Sequence, residues 1–403
     1  NGCYYRTGSH VTAMIHHLVR SAIIIISLIA AASPLTAGQD VSLPDTAAPS
    51  HRSGGLIGKI KRYLSESNEP RPSKKFDISF IGGPHYASDT KFGIGLVASG
   101  TYTRNLADTL TPRSDVALTA DVSTVGFYML GIHGNHRTMA DRVRLVYDFR
   151  FYSFPTYYWG IGYEAGNRGD EYRSKYLEFS FGGNLRVLSR VAPGVYIGPA
   201  FGFKWLRAKK PRKPELWEGQ KLKTVCLGVG LSLQYDTRDN LTAPTRGLLL
   251  SAEQRFYPRF MASPYSFAST EITLSGYYSV WHGGIVASRI HAMFSYGKVP
   301  WSMMPTFGGS YTMRGYYEGR YRDYDAVDRT VELRQNIYGR WGGAVWVGGA
   351  SVFPRLDKFS LGKVLPEVGI GLRWEFKKAS NVRLDYGLGR HSSGFVFSIN
   401  EAF

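Results

Sequence analysis

The sequence predicts an all-β fold, a transmembrane antiparallel barrel of about sixteen strands with a short N-terminal periplasmic helix, and three observations predict it. Aromatic residues make up 14% of the 403-residue chain, with 27 Tyr, 22 Phe and 46 Gly. From Phe76 onward apolar residues alternate with polar or small ones at a period of two, the spacing that sends successive side chains to opposite faces of a strand. Beyond the N-terminus, no apolar run approaches the roughly 18–20 residues a spanning helix requires.

The N-terminus supplies a compartment. Met14 marks a start, His16, His17 and Arg20 form a weakly basic leader, and Ala22 to Ala32 is an apolar core of signal-peptide length. Thr36–Ala37–Gly38 offers a cleavage neighbourhood, so residues 1–37 are assigned to upstream sequence and signal peptide, a signal anchor being the other reading. Cys3 precedes the signal, which leaves Cys226 alone in the mature chain and excludes both an intramolecular disulfide and a Cys-based zinc site. The net charge of +18 would suit nucleic acid, but an exported chain rarely meets it. Outer-membrane lipids and lipopolysaccharide are the expected counter-charge.

Residues 38–75 form a polar lead-in. Leu56, Ile57, Ile60, Tyr63 and Leu64 recur there at helical spacing among Lys59, Lys61 and Arg62, which reads as a surface-lying amphipathic helix or a frayed linker. The barrel is placed at 76–403. Its clearest strand is 367–376, where Val368, Ile370, Leu372, Trp374 and Phe376 alternate with Glu367, Gly369, Gly371, Arg373 and Glu375. The sixteen strands include a short first strand at 76–82, one at 118–131, a pair at 142–152 and 156–164 split by a turn at 153–155, and a last one at 394–403. Short connections such as 281–283 and 339–341 alternate with long ones such as 207–221, 297–329 and 353–365, the asymmetry of barrels with short periplasmic turns and longer external loops. The turns at 104–114 and 236–246 break that rule, and the external loop at 389–393 is short. A sheet in hydrocarbon must pair its edges, which is the physical reason to close it. The last strand places Phe395, Phe397, Ile399 and Phe403 on one face, with Glu401 among them.

Three segments carry a resemblance. Gly308–Gly309–Ser310–Tyr311–Thr312–Met313–Arg314–Gly315–Tyr316 sits in the longest external loop; Tyr235–Asp236–Thr237–Arg238–Asp239–Asn240, with Pro244 and Gly247, follows strand eight; Glu332–Leu333–Arg334 lies on strand twelve. In order and placement they resemble the BamA/TamA-type outer-membrane assembly barrel family (the bacterial surface antigen family), as a barrel-only member without periplasmic POTRA domains. The resemblance covers about residues 76–403. It implies that the loop bearing Met313, Arg314, Gly315 and Tyr316 folds into the lumen, with Arg314 anchored on the wall. One departure stands out: many family members carry an Asp on strand thirteen where this chain has Gly348. A guanidinium in a narrow lumen requires carboxylates, and the inward-facing candidates are Glu332, Glu367, Glu375 and Asp385.

The meeting of first and last strands is a second candidate site. Gly82–Gly83–Pro84 ends the short first strand, and proline donates no ladder bond, so a weak seam from there to Phe403 would suit a lateral gate; an ordinary strand end is the other reading. Lys209–Lys210–Pro211–Arg212–Lys213–Pro214 forms an external basic run near Trp217, either a lipid-phosphate contact or a solvated loop. Gly-x-Gly pairs such as Gly93/Gly95 and Gly228/Gly230 fall within strands and lack the strand-to-helix context of phosphate loops. His133 and His136 lack a third ligand, so neither metal nor cofactor is expected. His391 beside Ser392 raises lipid hydrolysis, but neighbours in an extended strand face opposite ways. No enzyme is expected. The resemblance implies a bacterial outer-membrane protein that inserts or translocates outer-membrane proteins or lipids, with assembly-machinery subunits and client barrels as partners; a passive pore or structural barrel is the competing class.

Overall fold

The computed structural model describes residues 75–87, 90–106, 111–377 and 380–403. The expected signal peptide and essentially all of the lead-in, including its expected helix, therefore lie outside the described residues. The first eight strands are β1 (Phe76–Ala87), β2 (Lys91–Tyr102), β3 (Ser114–Ser123), β4 (Tyr128–Thr138), β5 (Val143–Tyr158), β6 (Ser174–Ala192), β7 (Val195–Lys209) and β8 (Lys223–Asp236). The rest are β9 (Gly247–Tyr257), β10 (Phe267–Trp281), β11 (Gly284–Gly297), β12 (Asp325–Tyr338), β13 (Trp341–Phe353), β14 (Leu365–Lys377), β15 (Ser380–Gly389) and β16 (Ser392–Ile399). All belong to one sheet in chain order, and each neighbouring pair is antiparallel.

Sixteen strands were expected and sixteen form, but two assignments err in opposite senses and cancel. Residues 118–131 are not one strand: they hold the end of β3, a turn in which Gly126 takes φ 82°, and the start of β4. Outward-facing Leu118, Val122, Tyr128 and Leu130 are all even-numbered, so the strands on either side of the turn share one parity, which hides the hairpin. Conversely, no turn occupies 153–155. β5 runs through Pro155, which stands in register with Leu177 of β6; proline read as a breaker costs a ladder bond only where its nitrogen would have donated. The first strand is also longer than expected, continuing through Gly82, Gly83 and Pro84 in register with Leu96, Gly95 and Ile94. As an edge strand with one ladder partner, β1 tolerates the proline.

The two faces invert the pattern of a water-soluble protein. Outward Ile370 is 64% exposed and Leu231 62%, whereas Arg383 and Asp385, facing inward, are 0% exposed. An apolar exterior around a charged interior is the arrangement of a lipid-embedded barrel. Long connections at 159–173, 210–222, 298–324 and 354–364 emerge at one end, here the loop end; the turns at 193–194, 282–283 and 339–340 mark the other, the turn end. Among the described residues no ladder joins β16 to β1, although Cα atoms of the two strands approach within 8 Å. The sheet therefore meets itself at this seam without being hydrogen-bonded shut.

Candidate functional site: a loop anchored inside the barrel

The loop 298–324 turns inward from β11 and returns to β12. Gly308 (φ 111°) and Gly309 (φ 86°) provide a left-handed bend, and a Cβ on Gly308 would lie 2.8 Å from the Tyr317 carbonyl. Thr312 Oγ1 donates to the Gly308 carbonyl at 3.2 Å, and the Tyr316 amide donates to the Met313 carbonyl at 2.9 Å, so the tip is a self-bonded turn. Met313 and Tyr316 then pack with Phe307, Tyr321, Ala350 and Leu365 against the wall. The Tyr316 hydroxyl donates to the Pro366 carbonyl at 2.7 Å and accepts from the Arg390 amide at 2.7 Å. Burial pushes its pKa up to about 12, so it remains a donor throughout the physiological range.

Between these apolar contacts Arg314, 2% exposed, reaches the wall. Its guanidinium donates to Asp385 Oδ2 at 2.6 Å through Nη1 and to Glu332 Oε2 through Nη2. The ring of Trp346 lies under it, 3.5 Å from Cζ to the centroid. Glu367, another of the candidate carboxylates, accepts instead from the Gly315 amide at 2.9 Å and from Trp346 Nε1 at 3.1 Å. Glu375, the fourth, is not a partner of Arg314; it sits near the turn end of β14, where its amide donates to the Arg340 carbonyl.

Three further arginines complete the cluster. Arg334 Nε donates to Glu332 at 2.7 Å, Arg373 bonds both Asp385 and Glu401, and Arg383 bonds Asp385 and the Ser310 carbonyl of the loop. Glu332, Asp385 and Glu401 thus each carry at least one arginine, and Glu332 and Asp385 each bridge several. The sequence held a signal for these partners: Glu332/Arg334 and Arg383/Asp385 are oppositely charged pairs two apart, hence on one face of a strand. Trp346 carried no such signal, because stacking on Arg314 depends on how far the loop descends. Gly348 stands beside Glu367 in register. A Cβ there would lie 2.8 Å from the Arg329 carbonyl, so this wall has no room for the family's Asp.

Phe403 does not lie at the seam. β16 ends at Ile399, Asn400 takes a left-handed φ of 65°, and the last residues cross the turn end of the lumen. Glu401, expected on the apolar face, is buried and accepts from Arg373 at 2.9 Å and from Asn381 at 2.7 Å. The Phe403 carbonyl accepts from Arg334 at 2.9 Å, and its ring sits by Tyr277 and Arg289. A side chain with arginines on offer inside and only an unladdered edge outside is held more firmly inside. The Tyr235–Asn240 segment builds the β8–β9 turn: Asp236 accepts from Arg238, Asp239 from the Thr245 amide, and Asn240 from the Thr242 and Ala243 amides.

Of the other singled-out residues, His133 and His136 fall on opposite faces of β4, and His136 Nδ1 pairs with the Tyr102 hydroxyl at 2.8 Å. His391 occupies the tight turn before β16 with φ 53°, and no hydrogen bond joins it to Ser392 among the described residues.

A sheet of sixteen antiparallel strands, apolar outside, charged within and stoppered by an arginine-anchored loop, defines a membrane β-barrel with an inserted plug. Residues 133–403 match the Omp85 superfamily domain, and the chain belongs to that superfamily. Among solved structures it is similar to BamA from Haemophilus ducreyi lacking POTRA domains 1–3, at 13% identity and a TM-score of 0.51, over 81% of this chain and 70% of that one. It is also similar to CdiB from Acinetobacter baumannii (11% identity, TM-score 0.53, 81% of this chain, 60% of that one). CdiB from Escherichia coli gives 10% identity and a TM-score of 0.53 over 82% of this chain and 64% of that one. The chain therefore spans less than two thirds of either CdiB. No curated protein sequence matches it.

Proposed function

We propose that this barrel resides in the bacterial outer membrane and assists the insertion or translocation of outer-membrane proteins or lipids, opening between β1 and β16. The observation that carries the reading is the combination of a fully anchored plug with a seam lacking a ladder: the lumen is obstructed, while the cheapest opening is sideways. Family membership and the likeness to BamA support it. Assembly subunits and client barrels are the partners this reading requires. The chain acts without catalysis; purified protein carrying Ser392→Ala should give the same lipid-hydrolysis readout as wild type.

A cysteine placed in 76–82 and another in 393–399 would lock the two strands once oxidised. Locked protein should fail to support the outer-membrane proteome of a depleted strain, with recovery on reduction; full function while oxidised would refute lateral opening. A passive pore is the competing reading, and planar bilayers separate the two. A plugged barrel gives little steady current, an open pore conducts continuously.

A further inference from the structure

The outward strand positions carry a one-sided set of charges. Among the described residues the basic ones there are Lys175, Arg207, Lys209, Lys223 and Arg329, while acidic ones reduce to Asp325, which is buried and accepts from the Ser295 amide. The first four gather at the loop end of β6, β7 and β8. Arg207 and Lys223 stand directly opposite each other across the β7–β8 ladder, and both are exposed. Like charges so placed repel and destabilise the pair. Lys209 follows Arg207 on the same face with its Nζ 4.2 Å from the centroid of Phe179, and Lys175 begins the same face of β6. None of the four is ion-paired with a carboxylate among the described residues. Immediately toward the turn end the same face becomes apolar through Phe179, Phe203, Trp205, Val225 and Leu227.

Uncompensated cations directly above a lipid-facing apolar column require an anion that is itself attached to lipid. We propose that Lys175, Arg207, Lys209 and Lys223 bind the phosphate monoesters of a lipopolysaccharide-type glycolipid in the leaflet at the loop end. This rests on the membrane-spanning reading above. A phosphate monoester carries about two negative charges and three acceptor oxygens, which suits four cations on one face of neighbouring strands better than a singly charged phosphodiester does. Arg207 supplies the planar, bidentate donor, the lysines neutralise the remaining charge, and the acyl chains lie along Phe179, Phe203 and Leu227. The basic run 210–213 continues the patch into the loop: the Arg212 amide donates to the Lys175 carbonyl, which ties that run to the strand ends.

The test uses the full chain in nanodiscs, titrated with diphosphorylated lipid A, the same glycolipid after phosphatase treatment, and inorganic phosphate, with bound lipid counted by native mass spectrometry. Wild type should retain the diphosphorylated lipid, with about tenfold weaker binding for the dephosphorylated lipid and for the Arg207→Gln/Lys223→Gln variant. Lys175→Gln/Lys209→Gln provides an independent variant should the first fail to fold. Equal binding by either folded variant, or by the dephosphorylated lipid, overturns the proposal. Displacement of the lipid by millimolar inorganic phosphate overturns the lipid assignment. Heat-modifiable gel migration reports the folded barrel, so a wild-type chain that never enters the nanodisc counts against the membrane reading itself and is distinguishable from a barrel that inserts and ignores phosphate.

Discussion

Arg314 and the carboxylates around it are not interchangeable in what their loss would do. Removing Arg314 leaves Glu332 with Arg334, and Asp385 with Arg373 and Arg383. The wall stays balanced, and the loop loses its ion pairs while keeping the bonds of Gly315 and Tyr316 to β14. Arg314→Ala should therefore release the loop to proteases while the barrel's heat-modification temperature changes little. Glu332→Gln does the opposite: Arg314 and Arg334 lose a shared carboxylate at a site with 0% exposure. Breaking such a buried pair costs roughly 3–5 kcal/mol, so the variant should melt markedly earlier on the same gel. Gly348→Asp, which restores the family's residue type, should destabilise as well, because its Cβ would press on the Arg329 carbonyl at 2.8 Å.

The plug loop carries its own pH dependence. Asp323, in the loop just before β12, is 4% exposed, and burial raises its pKa to about 6, with the neighbouring Asp325 adding to the shift and the Tyr324 amide opposing it. A carboxyl whose folded pKa is raised favours the docked loop fully below its ordinary value near 3.8. That advantage disappears as pH rises through about 6. Hydrogen exchange in 298–324, corrected for intrinsic rates, should be slower at pH 5 than at pH 7.5, and Asp323→Asn should flatten the difference. Elements were legible in the sequence where the alternation was interrupted by true turns, as in 282–283 and 339–340. They were misread where it was not: the β3–β4 turn kept the parity of Leu118, Val122, Tyr128 and Leu130, and Pro155 looked like an interruption the strand did not make. The arginine loop was legible through its glycines and its place after strand eleven. The fate of Phe403 was not, since it depends on Arg334 and Tyr277 meeting it from distant strands.

At the scale of the whole molecule the lumen is obstructed twice, by 298–324 toward the loop end and by residues 400–403 toward the turn end. Deleting the loop alone should therefore raise single-channel conductance less than deleting the loop together with 400–403, and planar-bilayer recordings of the two variants would measure the difference. Equal conductance would mean that the tail does not stopper the barrel. The hydrogen bonds described between the plug and the wall fall on β5, β7, β8, β12, β14 and β15, through pairs such as Thr156 with Tyr317, Lys204 with Ser302, and Asp385 with Arg314. Swinging β1 to β4 outward breaks none of these bonds. If the barrel opens as proposed, the first four strands would form a door leaf hung on β5 with the stopper fastened to the frame, so the doorway at β1 would widen while the stopper stays in place.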